Sequence, residues 1–297
     1  MDICLLVINY NGMCFLPLYF PSLQLQCLQN DIDIYVTDDQ STDESITYLQ
    51  EITGNFIINQ GENHGFAANV NNGIRFAMSH KKYDYLIVAN NDIVVQDGFF
   101  EVLKKTLNVL SVTDCKFGLL GVNEIFPMYK ELAEKYSYAK FDPTSIKKVD
   151  NIPGFFFVIA AELIGQVGYL DESYFMYGED NDYFARTIKN GYRIYQSELP
   201  VIHFSEGSSN NSQVTSWYVY RNAFLYARKN LDFVGIIRMF LSFIYKIYNP
   251  FYQPQNPGNE RIVRNGFFYN NYLLAKSILW NVSDCLLPKK IKKIKRY

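Results

Sequence analysis

The sequence predicts an α/β fold: a mostly parallel sheet flanked by helices, followed by a helical C-terminal appendage. Three observations carry this. Over the first 125 residues, short apolar runs alternate with helix-compatible segments, the pattern of strands joined by crossover helices. Hydrophobic residues make up 48% of the 297 positions, which is ample for a large core. From about Ala223 the composition shifts to aromatic helical stretches, broken by Asn249-Pro250 and by a turn-rich segment at 253–258. The expected division is therefore residues 1–225 as one domain and 226–297 as an aromatic helical appendage with a basic tail.

Taken in order, strands are expected near residues 2–8, 32–37, 55–59, 84–88 and 117–122. Helices are expected near 14–29, 43–52, 66–80 and 97–110. Residues 116–150, with Pro127, Pro143 and a charged stretch, depart from the alternation and read as an insertion or acceptor loop. In open α/β sheets ligands bind beyond the carboxyl ends of the strands, so those positions are where chemistry is expected.

These strand ends are polar. After the first strand comes Asn9-Tyr10-Asn11-Gly12, and after the second Thr37-Asp38-Asp39-Gln40-Ser41-Thr42-Asp43. Asp43 or Ser41 suits a helix cap, whereas Asp38 can accept hydrogen bonds from a base edge or a ribose hydroxyl. The third strand leads to a glycine-bearing stretch at 61–73, where small residues allow close backbone approach and Asn69 and Asn72 can turn amides toward a nucleotide or its sugar. The fourth leads to Asn90-Asn91-Asp92, an oxygen cluster suited to a hard divalent cation such as Mg²⁺ or Mn²⁺ held against a diphosphate. Each cluster alone reads as an ordinary turn, but a purely structural sheet has no need of polar clusters at successive strand ends.

A second focus lies at 170–182, Leu-Asp-Glu-Ser-Tyr-Phe-Met-Tyr-Gly-Glu-Asp-Asn-Asp, which sets five carboxylates among aromatics. Glu179, Asp180 and Asp182 precede a helix-compatible run at 183–189, where acids suit a helix N-terminus. They read either as first-turn acids or as chemistry.

Six of the 28 basic residues fall at positions 289–296, and without them 22 basic residues face 30 acidic ones, a balance of −8. That argues against a general nucleic-acid binder and points to a local anionic partner for the tail, such as phospholipid or nucleic acid. The five scattered cysteines show no metal-ligand spacing and read as reduced. The apolar run 3–8 is too short for a signal-peptide core and no uncharged run reaches membrane-spanning length, so a cytoplasmic location is expected.

Several segments, in this order and spacing, carry a resemblance: residues 7–12, 36–43, 63–73, 90–92, Gly154-Phe155-Phe156, 168–182, Gly191-Tyr192, His203 and 218–222. Together they resemble family 2 inverting glycosyltransferases of the GT-A fold, a Rossmann-like sheet, in particular bacterial rhamnosyl- and galactofuranosyl-transferase-like members. The resemblance implies that Asp38 contacts the nucleotide base, that Asn11 and Gly12 border its cleft, and that Asn69 approaches the ribose or phosphate. It implies that Asp92 matches the last acid of the metal-binding Asp-x-Asp segment, with Asn90 in place of the first acid, which lowers the charge available to a cation. His203 matches the histidine that completes the metal or diphosphate site, and Asp180 of the Glu179-Asp180 pair matches the catalytic base. Gly154 and Phe155 border the acceptor pocket, and Arg221 binds phosphate or pairs with an acid.

The expected activity is transfer of a hexosyl or deoxyhexosyl unit from a nucleotide-diphosphate sugar, dTDP-rhamnose or a UDP-sugar, to a hydroxyl of a glycan or lipid-linked glycan in surface-polysaccharide assembly. A homo-oligomer is a further expected partner. Between 231 and 249, Gly235, Arg238, Ser242, Lys246 and Asn249 make a narrow polar stripe on an otherwise apolar helix. Its wide apolar face is covered by the domain, another subunit or, as the basic tail favours, an anionic membrane at the inner face of the cell. Two other readings stand beside this one. A sugar nucleotidyltransferase would carry a basic triphosphate loop after the first strand, and residues 9–12 contain no Arg or Lys. A non-catalytic nucleotide-sugar-binding or scaffold protein would not need Asp92, Asp180 and His203.

Overall fold

The most apolar run of the N-terminal region forms strand β1 (Ile3–Asn9), and all seven of its residues are buried. Its residues alternate between two cores, as the two-residue repeat of a strand requires. Ile3, Leu5 and Val7 join one apolar cluster, and Cys4, Leu6 and Ile8 join the other. A strand buried on both faces belongs at the centre of a sheet covered on both sides. The computed structural model that shows this describes residues 1–52, 56–58, 62–126, 141–204, 212–249, 251–252 and 266–286.

The sheet continues with β2 (Ile32–Asp38), β3 (Phe56–Ile58), β4 (Tyr85–Asn90), β5 (Ile93–Val94), β6 (Phe117–Ile125), β7 (Ile146–Val149), β8 (Phe156–Ala160) and β9 (Arg193–His203). Their order is β3-β2-β1-β4-β8-β6-β9-β5, with β7 also paired to β9. Pairs β1–β2, β1–β4, β2–β3 and β6–β9 are parallel. Strand β8 runs against both β4 and β6, and β5 and β7 run against β9. The central sheet flanked by helices is as expected, but its pairing is mixed rather than mostly parallel: β3-β2-β1-β4 form a parallel block, β8 is inserted antiparallel between β4 and β6, and β5 and β7 run against β9.

Helices α1 (Leu16–Gln29), α2 (Ser45–Ile52) and α4 (Phe99–Thr113) supply Leu16, Phe20, Leu49, Phe99 and Leu103 to the first cluster. Helices α3 (Phe66–His80), α5 (Ala161–Val167) and α6 (Glu179–Lys189) supply Val70, Ile74, Leu163, Tyr183 and Phe184 to the second. Helix α2 starts at Ser45, whose N–H donates to Asp43 Oδ1 at 3.0 Å, so Asp43 fills the capping role its position suggested. In α3 a Cβ on Gly73 would stand 2.6 Å from Thr37 Cγ2, so the glycine lets this helix settle close to the strands.

By its contacts the chain divides into two compact units, Met1–Phe175 with Glu179–Asn210, and Met176–Gly178 with Asn211–Tyr297. The second unit holds α7 (Ser212–Asn230), α8 (Phe233–Tyr248) and α9 (Phe267–Leu286). The division at 225/226 that composition suggests falls inside α7. Tyr220, Phe243, Leu273 and Leu274 form its core, and Arg228 pairs with Asp284 at 2.6 Å. Asp232 caps α8, accepting from Gly235 N–H at 2.7 Å. Phe233, Ile237, Leu241, Tyr245 and Tyr248 of α8 are exposed. The turn at 253–258, the basic tail and residues 127–140 of the expected insertion lie outside the described residues.

Candidate active site

The parallel register sets the first polar strand ends side by side: Asn9 pairs with Asp38, and Ile8 with Asn90. Asn9, fully buried, donates through Nδ2 to Asp38 Oδ2 at 2.6 Å and accepts from Asn91 Nδ2 at 2.6 Å. Asp38 also accepts from Ser41 N–H at 2.8 Å and Ser41 Oγ at 2.6 Å. Its carboxylate is completely buried. In this arrangement Asp38 fixes Asn9 and Ser41 at the carboxyl ends of β1 and β2. Asn11 stands in the left-handed region at φ 51°, its N–H donating to Ser41 Oγ at 2.8 Å and its Oδ1 accepting from Thr42 N–H at 2.7 Å. Asparagine tolerates that conformation better than most residues. A Cβ on Gly12 would collide with the side chains of Asn9 and Asn91, so the glycine is required by the packing of this network.

Asn69, from the first turn of α3, donates to the carbonyls of Asn9 and Thr37, both at 3.0 Å. It thereby ties the ends of β1 and β2 to the helix. Asp39 accepts from the N–H groups of His64 and Gly65 at 3.0 and 2.7 Å, pinning the loop before α3. Asn9 and Asp39 are the contributors to this end of the sheet that strand-end reasoning did not single out. Their signal is the same polar clustering, read two residues before Asn11 and one after Asp38.

The second group forms at the edge of the sheet. Strand β9 lies between β6 and β5, with Ile93 opposite His203 and Glu124 opposite Val201. His203 consequently has a carboxylate on each side: Asp92 Oδ1 is 3.3 Å from Nε2, and Glu124 Oε1 is 2.6 Å from Nδ1. Burial alone would lower the imidazole pKa, but the two carboxylates outweigh it and hold the pKa up at about 9. Asn90 Nδ2 lies 3.3 Å from the same Nε2. The Phe155 ring stacks on the imidazole at 4.5 Å and 10°, so this phenylalanine is buried against the histidine.

Whether these residues suit a divalent cation is tested by their atoms. Asp92 Oδ1 is buried and lacks the alignment of a hydrogen bond, so its attraction to the ring is ionic. Two ligands in adjacent positions on Mg²⁺ or Mn²⁺ stand about 3 Å apart, given bond lengths of roughly 2.1 Å. The 3.3 Å separation of Asp92 Oδ1 and His203 Nε2 fits that spacing. Among the described residues no group of three His, Cys, Asp or Glu side chains has metal-binding geometry, so remaining positions would fall to the Asn90 amide, water and phosphate oxygens.

The third group is the acidic segment, where the structure separates five carboxylates by task. Asp171 accepts from Ser173 N–H at 3.0 Å, capping a short 3₁₀ turn at Glu172–Tyr174. Glu172 takes Arg75 at 3.0 Å and Asn71 at 3.0 Å. Asp182 pairs with Arg186 at 2.7 Å, and the same guanidinium donates to the carbonyls of Val167 and Tyr169, both at 3.0 Å. Glu179 is buried. Asp180 is half-buried, with Oδ1 accepting from Asn181 N–H at 2.7 Å and Oδ2 lying where a side chain on Gly154 would be. Gly154 and Asp180 are thus brought together, with Asn151 reaching Asn181 Oδ1 at 2.7 Å beside them. Arg221 belongs to the helical unit, where it lies over Tyr218 and Trp280 at 4.8 and 4.6 Å and donates to Asn222 Oδ1 at 2.7 Å.

Comparison with known proteins bears on this arrangement. The sequence model of Glycosyl transferase family 2 matches residues 4–159, just over half of the chain. The chain is 25% identical over 179 residues to the low-salt glycan biosynthesis hexosyltransferase Agl10 of Haloferax volcanii, covering 57% of this chain and 58% of that protein. It is 24% identical over 193 residues to a galactofuranosyl glycosyltransferase of Leishmania donovani, covering 52% of this chain and 44% of that one. The chain spans about half the length of the curated relatives it matches. Among solved structures, the mannosyltransferase PcManGT of Pyrobaculum calidifontis in complex with GDP-Man and Mn²⁺ superposes with a TM-score of 0.53 at 13% identity, over 97% of this chain and 76% of that one. S. aureus TarS 1-349 superposes with a TM-score of 0.56 at 13% identity, over 92% and 81%. At these identities the likeness is one of fold, and the fold is that of the GT-A glycosyltransferases.

Proposed function

The chain belongs to glycosyl transferase family 2, and from that membership we propose that it transfers a hexosyl or deoxyhexosyl unit, with inversion, from a nucleotide-diphosphate sugar to a glycan or lipid-linked glycan hydroxyl. The observation that carries this reading is the half-buried Asp180 carboxylate set against Gly154, where any side chain would collide with it, while Asp182 of the same segment is held by Arg186. A sugar hydroxyl is a poor nucleophile, and a positioned carboxylate that takes its proton supplies about 10² to 10⁴ in rate. On this reading the hydroxyl oxygen bonds to the anomeric carbon and its proton passes to Asp180. The bond from that carbon to the phosphate oxygen breaks, its electron pair leaving with the nucleoside diphosphate. One base and one displacement invert the anomeric centre.

The cleft bounded by Asn11, Gly12 and the Asp38 network is assigned to the nucleotide, with Asn69 holding its floor. Asp92, His203 and the Asn90 amide would hold the cation, Mg²⁺ or Mn²⁺. When bound, it offsets charge on the departing diphosphate. Phe155 serves the site by packing on His203, and Arg221, within the helical unit, is assigned to phosphate binding or to pairing with an acid. A glycan acceptor accords with the names of the two curated relatives, and nucleotide-sugar donors with the GDP-Man and UDP-GlcNAc held by the two structural neighbours. Rhamnose remains our first donor sugar on motif resemblance, with attachment at the inner face of a membrane for surface-polysaccharide assembly.

The test is a donor screen by thermal shift, followed by mass analysis of products with candidate acceptors in EDTA and after adding back Mn²⁺ or Mg²⁺. We expect one nucleotide sugar to stabilise the protein and to transfer only with the cation. Binding without turnover on any acceptor would favour a non-catalytic nucleotide-sugar-binding protein instead.

A further inference from the structure

An imidazole binds a cation through a nitrogen lone pair, so the proton of a neutral ring must stand on the other nitrogen. In His203 the nitrogen facing Asp92 and Asn90 is Nε2. The proton must then be on Nδ1, and something must hold it there. Glu124 Oε1 lies 2.6 Å from Nδ1, and the Phe155 face, 4.5 Å away and nearly parallel, limits rotation of the ring. Glu124 comes from β6, where it is registered opposite Val201, two residues before His203 on β9, and it is 79 positions from His203 in sequence. Its side chain is 26% exposed, and its partner among the described ion pairs is His203.

We infer that Glu124 is a positioning residue for cation binding: it accepts the Nδ1–H of His203 and so presents Nε2 to the divalent cation. This rests on the reading above that Asp92 and His203 face a cation. Carboxylates placed behind metal-binding histidines typically account for 10- to 100-fold in metal affinity, because they fix both the tautomer and the ring angle and make the free nitrogen more basic.

The test is Mn²⁺ binding to the full chain, measured by the paramagnetic resonance signal of free Mn²⁺ during titration with MnCl₂ alone. Glu124→Ala should raise the dissociation constant 10- to 100-fold. Glu124→Gln keeps an oxygen that can accept from Nδ1–H and should raise it less, by a few-fold. In a His203→Ala background, Glu124→Ala should change the constant by less than about twofold, since the effect runs through the ring. Wild-type affinity in both Glu124 variants overturns the inference while leaving the cation reading intact. A loss of equal size with and without His203 also overturns it, because Glu124 would then act on the cation or the fold directly. Failure of the unaltered chain to bind Mn²⁺ overturns the cation reading and this inference together. Should Glu124→Ala melt early, the near-isosteric Gln variant decides: a raised constant supports the inference and an unchanged one ends it.

Discussion

Asp180 and Gly154 are 26 positions apart, yet the carboxylate of one occupies the space a side chain on the other would fill. Asp180→Asn removes the proton acceptor with little change in shape, and kcat should fall about 10²- to 10⁴-fold while donor affinity and melting temperature stay near those of the parent. Near-normal turnover would disqualify Asp180 and turn attention to Glu179. Gly154→Ala adds one methyl group, which must push the carboxylate aside. A displacement of about 1 Å at a reacting group can cost about 10² in rate, so kcat should drop on that order with KM for the donor little changed. Full activity in this variant would mean that the base stands elsewhere. Neither residue's task is visible from its type alone. The sequence distinguishes Asp180 from Asp182 only by resemblance, whereas the structure does so by showing Arg186 bound to Asp182.

At the scale of elements, β9 joins the two halves of the site's edge and is anchored where it begins. Asp114, just past α4, is nearly buried and receives Arg193 and, at 2.7 Å, Tyr195 from that strand. Burial pushes its pKa up, but the hydrogen bonds from Arg193, Tyr195 and the Lys116 N–H outweigh burial and hold it below the ordinary 3.8. A lowered pKa means the folded state binds the proton less readily than the unfolded chain does. Its stabilisation is therefore fully present above pH 3.8 and is lost as pH falls through the folded value. Asp114→Asn should cost about 1–2 kcal/mol at pH 7, the ion-pair share being reduced by the half-exposed Arg193. In urea melts the gap between parent and variant should narrow below pH 3.8; a gap independent of pH would remove the carboxylate from this role. Periodicity alone located β1, β2, β4 and α3 to within two residues. It missed the pairing of β5 and β7 with β9, because strands of 2 and 4 residues have too few positions for a period to register.

For the whole molecule, the helical unit presents an α8 face on which Phe233, Ile237, Leu241, Tyr245 and Tyr248 are exposed, with Arg238 the charge among them. No helix of the described residues is long and apolar enough to cross a membrane. Shallow insertion of such a face, assisted by cations worth about 1 kcal/mol each near an anionic surface, remains our proposal for attachment. The full chain should float with anionic vesicles and progressively less as salt rises, and a chain ending after Pro288 should float less. Equal recovery of both would remove the basic tail from attachment, and recovery of neither would remove the membrane. Fold class, the order of the central elements and the polar strand ends were all legible in the sequence, because they follow from local periodicity and from residues adjacent in the chain. The fate of each polar side chain was not. Asp38 and Asn69 hold the strand ends, and the Phe155 ring lies on a histidine. Glu124 carries no local signal, because a carboxylate 79 positions from its histidine becomes its neighbour only when β6 and β9 pair. A hydrogen bond depends on distance in space, and tertiary register alone sets that distance for groups so far apart along the chain.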